Sequence, residues 1–226
     1  MGTALLVLQL ATTCGEADTS RLQQASQASL RGDEKAAARI LAAGVERGGN
    51  CVPLRVAELA LRGWRVARAL APKGGAAEFL PPVQQILKQL RQLSPSEAAL
   101  EVEYAETAIR AAVAAAQDER PEMELLLTHA RDLTERLQLR GRRAVWPRSF
   151  NLLAGELWFE VDRYEDARLA YERAVRGEAT PLAIVGLARA QARLGRAAAA
   201  CATYRKAGDV APALRAAAAA DLARCR

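Results

Sequence analysis

The chain has 226 residues, of which 51 are alanine, while aromatic residues make up only 4%. Val, Ile, Thr and Tyr are too sparse for a sandwich, a barrel or a parallel sheet, because strands draw on β-branched and aromatic residues whereas Ala and Leu favour helix. A charge of +6 and 51% hydrophobic content exclude a disordered chain, and 28 Arg against 4 Lys reads as GC-rich codon usage.

In chain order, Met1-Gly2-Thr3 leads into an apolar run over 4–10, then Ala11-Thr12-Thr13 and Cys14. A bilayer span needs about 20 residues, so this run is too short. Its length suits the hydrophobic part of a signal peptide, but no Lys or Arg precedes it. Leu10-Ala11-Thr12-Thr13-Cys14 resembles a bacterial lipobox, with Thr13 unusual before the cysteine and Leu10 one place early. A start codon set too late accounts for the missing basic residues. The resemblance implies lipidation at Cys14, a polar tether up to Ser20 and a place on the periplasmic face of the outer membrane. The competing reading makes 4–14 a packing helix. Myristoylation fails, because Leu6 stands where Ser or Thr is required.

Helical segments then alternate with short breaks. The pattern predicts helices over 22–30 and 34–47, broken at Arg31-Gly32-Asp33 and stopped by Gly48-Gly49-Asn50. Helices over 53–70 and 79–93 follow, the second with Pro81 and Pro82 in its first turn. Ser94-Pro95-Ser96-Glu97 reads as a capping box opening a helix to about Gln117. Pro121 opens another to about Leu139, closed by Gly141. Cys14, Cys51, Cys201 and Cys225 show neither CxxC nor metal-ligand spacing. Cys201 and Cys225 would be offset by about 7 Å along a terminal hairpin, the outer limit for a disulfide. For these two, buried unpaired thiols are therefore expected over a disulfide, which stays open as the alternative.

Shifting the C-terminal third by 33 residues aligns it with itself: Gly155 falls on Ala188, Asp162 on Gly195, Ala167 on Ala200, Tyr171 on Tyr204 and Ala174 on Ala207. Each unit is a helix, a tight turn and a second helix carrying Ala-x-x-x-Tyr-x-x-Ala. Residues three and four apart share a face, so small residues admit a neighbouring helix while Tyr fills the groove. Residues 151–181 and 182–212 thus resemble the tetratricopeptide repeat, with departures at Gln191 and Ala197, where aromatics are usual. A weaker copy spans about 18–50, through Ala36, Ile40 and Ala43.

Catalytic chemistry is not encoded in familiar form. There is one histidine, His129, in mid-helix, and no nucleophile elbow, zincin helix or phosphate loop. No cofactor or metal is expected. The best charge cluster is Arg136, Arg140, Arg142, Arg143 and Arg148 around Trp146 and Phe150, diluted by Glu135. Arginines with aromatics can hold a nucleic-acid backbone, but no recognition module surrounds these.

The expected fold is all-α: a right-handed α-α superhelix of about ten or eleven helices, without a domain-dividing linker. Residues 1–20 form the signal and tether, 21–146 a helical region with degenerate repeats, and 147–226 two repeats plus a capping helix over 214–224. The resemblance implies a non-catalytic scaffold that binds a protein or peptide partner and helps assemble an envelope complex. Its groove would be lined by Leu152, Glu156, Phe159 and Glu160, then Val185, Arg189, Ala192 and Arg193. Leu152, Glu156, Val185 and Arg189 replace the Lys and Asn of chaperone-tail receptors, which disfavours that role. The alternative is a cytoplasmic regulatory or nucleic-acid-associated protein using the cluster from Arg136 to Arg148.

Overall fold

The computed structural model describes residues 14–47, 51–69, 76–94, 97–143 and 146–225, without the side chains of 76–80 and Arg224. The expectations for residues 1–13, Gly48-Gly49-Asn50, Pro72 to Gly75, Pro95 and Ser96 lie outside this set. Among the described residues there are helices and no strand. They are α1 (Glu16–Leu30), α2 (Glu34–Glu46), α3 (Val52–Ala69), α4 (Ala76–Gln92), α5 (Ala99–Ala116), α6 (Arg120–Leu139), α7 (Phe150–Glu160), α8 (Tyr164–Gly177), α9 (Pro181–Arg193), α10 (Ala197–Tyr204) and α11 (Pro212–Ala218).

One turn recurs. Gly32, Asp118, Asp162 and Gly195 adopt left-handed φ of 85°, 58°, 61° and 76° after α1, α5, α7 and α9. In each case the next N–H reaches back five residues: Asp33 to Ala28 O, Glu119 to Ala114 O, Arg163 to Trp158 O and Arg196 to Gln191 O. This is a Schellman stop, which satisfies the last carbonyls of one helix and launches the next. Asp162 and Gly195 were aligned by the sequence repeat, so the register extends to backbone conformation.

Two compact units emerge, the first from residues up to Ser26 with Ala37–Phe150, the second from Gln27–Ala36 with 151–226. In the first, α5 packs on α3 and α6, and α4 on α3 and α5. Alanines 105, 108, 111 and 112 make most of α5 a close-approach surface. Trp64 and Tyr104 are the bulky residues that fill the remaining space, both fully buried. The Tyr104 hydroxyl donates to the Arg148 carbonyl at 2.8 Å.

Burial pushes the Tyr104 phenol far above its ordinary range. The folded chain therefore keeps this proton after the unfolded chain has lost it, above about pH 10. Stability is unaffected below that pH and falls above it, by about 1.4 kcal/mol per pH unit for this one group. Tyr104→Phe is expected to remove this slope and to cost about 1 kcal/mol near neutrality, because the carbonyl loses a donor. Denaturant titrations at neutral and alkaline pH check both; an unchanged slope in the variant discounts Tyr104.

In the second unit α9 lies between α8 and α10 and touches α11. Tyr171 on α8 packs in one core cluster with Leu152, Leu182, Ala183 and Leu187. A Cβ added at Gly155 or Gly186 would meet the Tyr171 ring at 2.8 and 2.3 Å, so both glycines are sites of close approach. A second cluster joins Val185, Ala188, Ala200, Val210, Ala218 and Leu222. Gln191, at an aromatic position of the resembled repeat, has a buried Oε1 without a hydrogen-bond partner among the described residues.

Four local expectations are corrected. α4 starts at Ala76, so Pro81 and Pro82 lie inside it and not in its first turn. α5 starts at Ala99 with Ala98 at the cap and no side-chain cap bond; Arg142 instead binds the Glu97 carbonyl at 2.7 Å. The capping helix ends at Ala218, and the chain turns through 219–222 into a short 3-10 helix, Ala223–Cys225. The cysteines are paired and not free: Cys14–Cys51 and Cys201–Cys225 have Cα separations of 4.7 and 4.9 Å. The 7 Å offset assumed a straight terminal helix. The turn at 219–222 shortens it and returns residue 225 to α10.

Candidate functional site

The strongest constellation gathers on α7, α8, α9 and the 219–222 turn. Phe159 sits in the last turn of α7, and the stop at Asp162 brings Tyr164 at the start of α8 back against it. Their rings meet edge to face, with centroids 5.3 Å apart. Arg189 and Arg193 are four residues apart on α9, hence on one face. Their guanidiniums lie 4.4 and 5.9 Å from the Phe159 centroid, and that of Arg193 lies 5.6 Å from Tyr164.

Asp221 joins the two arginines. Its side chain is only 4% exposed; Oδ2 accepts from Arg189 Nε at 2.7 Å and Oδ1 from Arg193 Nε at 2.5 Å. One carboxylate bridging two guanidiniums holds like charges side by side, and the aromatic face adds a cation–π attraction. The Asp221 hydrogen bond moves the Arg193 pKa upward, so its charge is permanent. Tyr164 donates its hydroxyl to Asp162, and this bond, followed by burial, raises the phenol pKa.

Of the expected groove residues, Phe159, Arg189 and Arg193 come together here. Leu152 and Val185 do not line a groove: they are 3% and 0% exposed and belong to the two core clusters, because their side of each helix faces the neighbouring helices. Glu156 is buried and Glu160 half-buried, and both are engaged in interactions. Sequence reasoning missed Asp221, Asp162 and Tyr164 as members of the site. Asp221 did carry a signal, as the sole acid after Asp209, following the run Ala216 to Ala220.

The arginine cluster of the first unit is divided by packing. Arg142 is spent on Glu101, at 2.6 Å, and on the Glu97 carbonyl. Burial raises the Glu101 pKa, with Arg142 opposing. Arg148 is 2% exposed, 6.0 Å from the Trp64 ring, and donates to the Pro147 carbonyl at 3.1 Å. Arg136, Arg140 and Arg143 remain exposed. His129 is exposed and hydrogen-bonded to Glu103 at 3.1 Å.

Cys14, the expected lipidation site, has its sulfur joined to Cys51. A sulfur in a disulfide cannot also carry a thioether, so the two uses exclude each other. Among the described residues no cluster of metal-ligating side chains occurs, and no helix is long and apolar enough to cross a membrane. No protein-family model, no curated protein and no solved structure matches this chain.

Proposed function

We propose that this chain is a non-catalytic protein-binding scaffold, a right-handed superhelix of tetratricopeptide-like repeats that helps assemble a bacterial envelope complex. The observation that carries this reading is the accessible cluster on the first helices of the two C-terminal repeats. Phe159 of one repeat and Arg189 and Arg193 of the next form a joint surface. In-register turns at Asp162 and Gly195, and Tyr171 placed against Gly155 and Gly186, support repeat-type stacking. Stacked repeats present extended surfaces of this kind to peptides and proteins.

The disulfides support an oxidising compartment, where such bonds persist. We assign Cys14 to its bond with Cys51 over a lipid anchor. The nucleic-acid reading is weaker, since two of its five arginines, Arg142 and Arg148, are committed to internal contacts.

The test is partner recovery from native cells with the full chain and with a Phe159→Ala, Arg189→Ala variant. Recovery is expected to fall at least ~10-fold, because aromatic and Arg anchors dominate interface energetics. The thermal midpoint should fall by several degrees, because Phe159 packs on a core cluster, while Arg193 still neutralises Asp221; recovery is therefore compared at a temperature where circular dichroism shows the variant folded. Unchanged recovery removes this surface from consideration.

A further inference from the structure

We infer that Arg189 and Arg193 form a receptor for an Asp or Glu side chain in an acidic peptide segment of a partner protein. This rests on the scaffold reading above and names the chemistry of what it binds. Both arginines reach Asp221 through Nε alone; among the described residues their Nη groups make no hydrogen bond. Each guanidinium thus keeps its terminal donors for a ligand. The side chains are 25% and 46% exposed, whereas Asp221 is shielded, so the donors and not the carboxylate face solvent.

The arginines are also held in advance. Both guanidiniums lie over the Phe159 ring, and Asp221 fixes their Nε ends. Asp221 is itself held by Ala218 and Leu222, both in the core, and by Cys225 bonded to Cys201. Ordering a long side chain on binding costs about 0.5–1.5 kcal/mol, and here much of that ordering is present before the ligand arrives. Two guanidiniums and the buried Asp221 leave a single positive charge, which the exposed Asp162 beside Arg193 offsets only in part across solvent. A monovalent carboxylate balances it, while a phosphate dianion would place a second negative charge near buried Asp221. Asp162, the other acid beside Arg193, is exposed and accepts from Tyr164. The half-buried rings of Phe159 and Tyr164 give an apolar residue next to the ligand carboxylate a place to rest.

The experiment uses the full disulfide-bonded chain and fluorescence anisotropy with a labelled oligoglutamate peptide. A matched oligoglutamine peptide and a duplex oligonucleotide serve as the other arms. Glutamate is expected to bind at least ~10-fold tighter than glutamine, as charge-assisted hydrogen bonds are the strong ones. Arg189→Lys with Arg193→Lys keeps the charge and the partner for Asp221 but loses the planar fork, and should weaken binding at least ~10-fold. Arg193→Gln alone, which leaves Arg189 on Asp221, should show a comparable loss should the lysine variant fold poorly. Equal binding of the two peptides, retention in the lysine variant, or displacement of the peptide by the duplex overturns the inference. A native partner lost from the Phe159→Ala, Arg189→Ala variant, with no oligoglutamate binding, rejects the carboxylate receptor and keeps the scaffold. A partner indifferent to that variant rejects the scaffold itself.

Discussion

Gly186→Ala is expected to destabilise the second unit by about 2 kcal/mol, although alanine favours helix by about 1 kcal/mol over glycine. The new Cβ would sit 2.3 Å from Tyr171 Cε1 and 2.4 Å from Cζ, far inside contact distance. The ring has little room to swing away, because Leu152, Ala174 and Leu187 share its cluster and the backbone at Gly155 comes so close that an added Cβ there would also lie 2.8 Å from it. Overpacking of this severity costs about 3 kcal/mol, at the upper end of its usual range, and outweighs the propensity gain. For a unit of this size the midpoint should fall by roughly 10 °C. Circular-dichroism melts of the single variant and of Gly186→Ala with Tyr171→Leu decide the cause. The smaller side chain should recover part of the loss by coupling between the two sites. A neutral or stabilising Gly186→Ala shows that the Tyr171 slot is wider than described.

The other large effect concerns the disulfides. Cys201→Ser with Cys225→Ser opens a bond of sequence separation 24, and Cys14→Ser with Cys51→Ser one of separation 37. Loop-closure entropy makes them worth about 3.5 and 4 kcal/mol respectively. The two bonds lie in different units. The C-terminal bond has a further consequence, since it ties residue 225 to α10 and so holds the turn that delivers Asp221. Its removal should lower oligoglutamate affinity as well as the melting midpoint. Thiol labelling of protein from its native source checks the pairing directly. With no free cysteine, no label should enter before denaturation and reduction, and four sites should react afterwards. A single reactive thiol at Cys51, with Cys14 blocked, would instead identify the lipid anchor. Several reactive thiols would reject the disulfides.

Local chemistry determined the helices and many of their ends. Gly32, Asp162 and Gly195 could be placed at turns because an αL stop favours Gly or Asp, a property of one residue and its immediate neighbours. The 33-residue register, and Tyr171 opposite small residues, were legible for a similar reason: packing faces repeat along one chain at fixed spacing. The helix start expected at Ser94-Pro95-Ser96-Glu97 was set too early: α5 begins at Ala99 behind Ala98, and the Glu97 carbonyl and Glu101 carboxylate are held by Arg142, more than forty residues away in sequence. Leu152 and Val185 were placed on a groove by family position, but the neighbouring helices bury them. The cysteine pairs and the role of Asp221 were decided by tertiary structure alone. The Cys201–Cys225 bond and the place of Asp221 both depend on where the chain turns after Ala218, and a run of alanines carries no periodic signal to mark that turn. Sequence spacing fixes which residues share a helix face, but only the packed chain determines which distant residue completes that face.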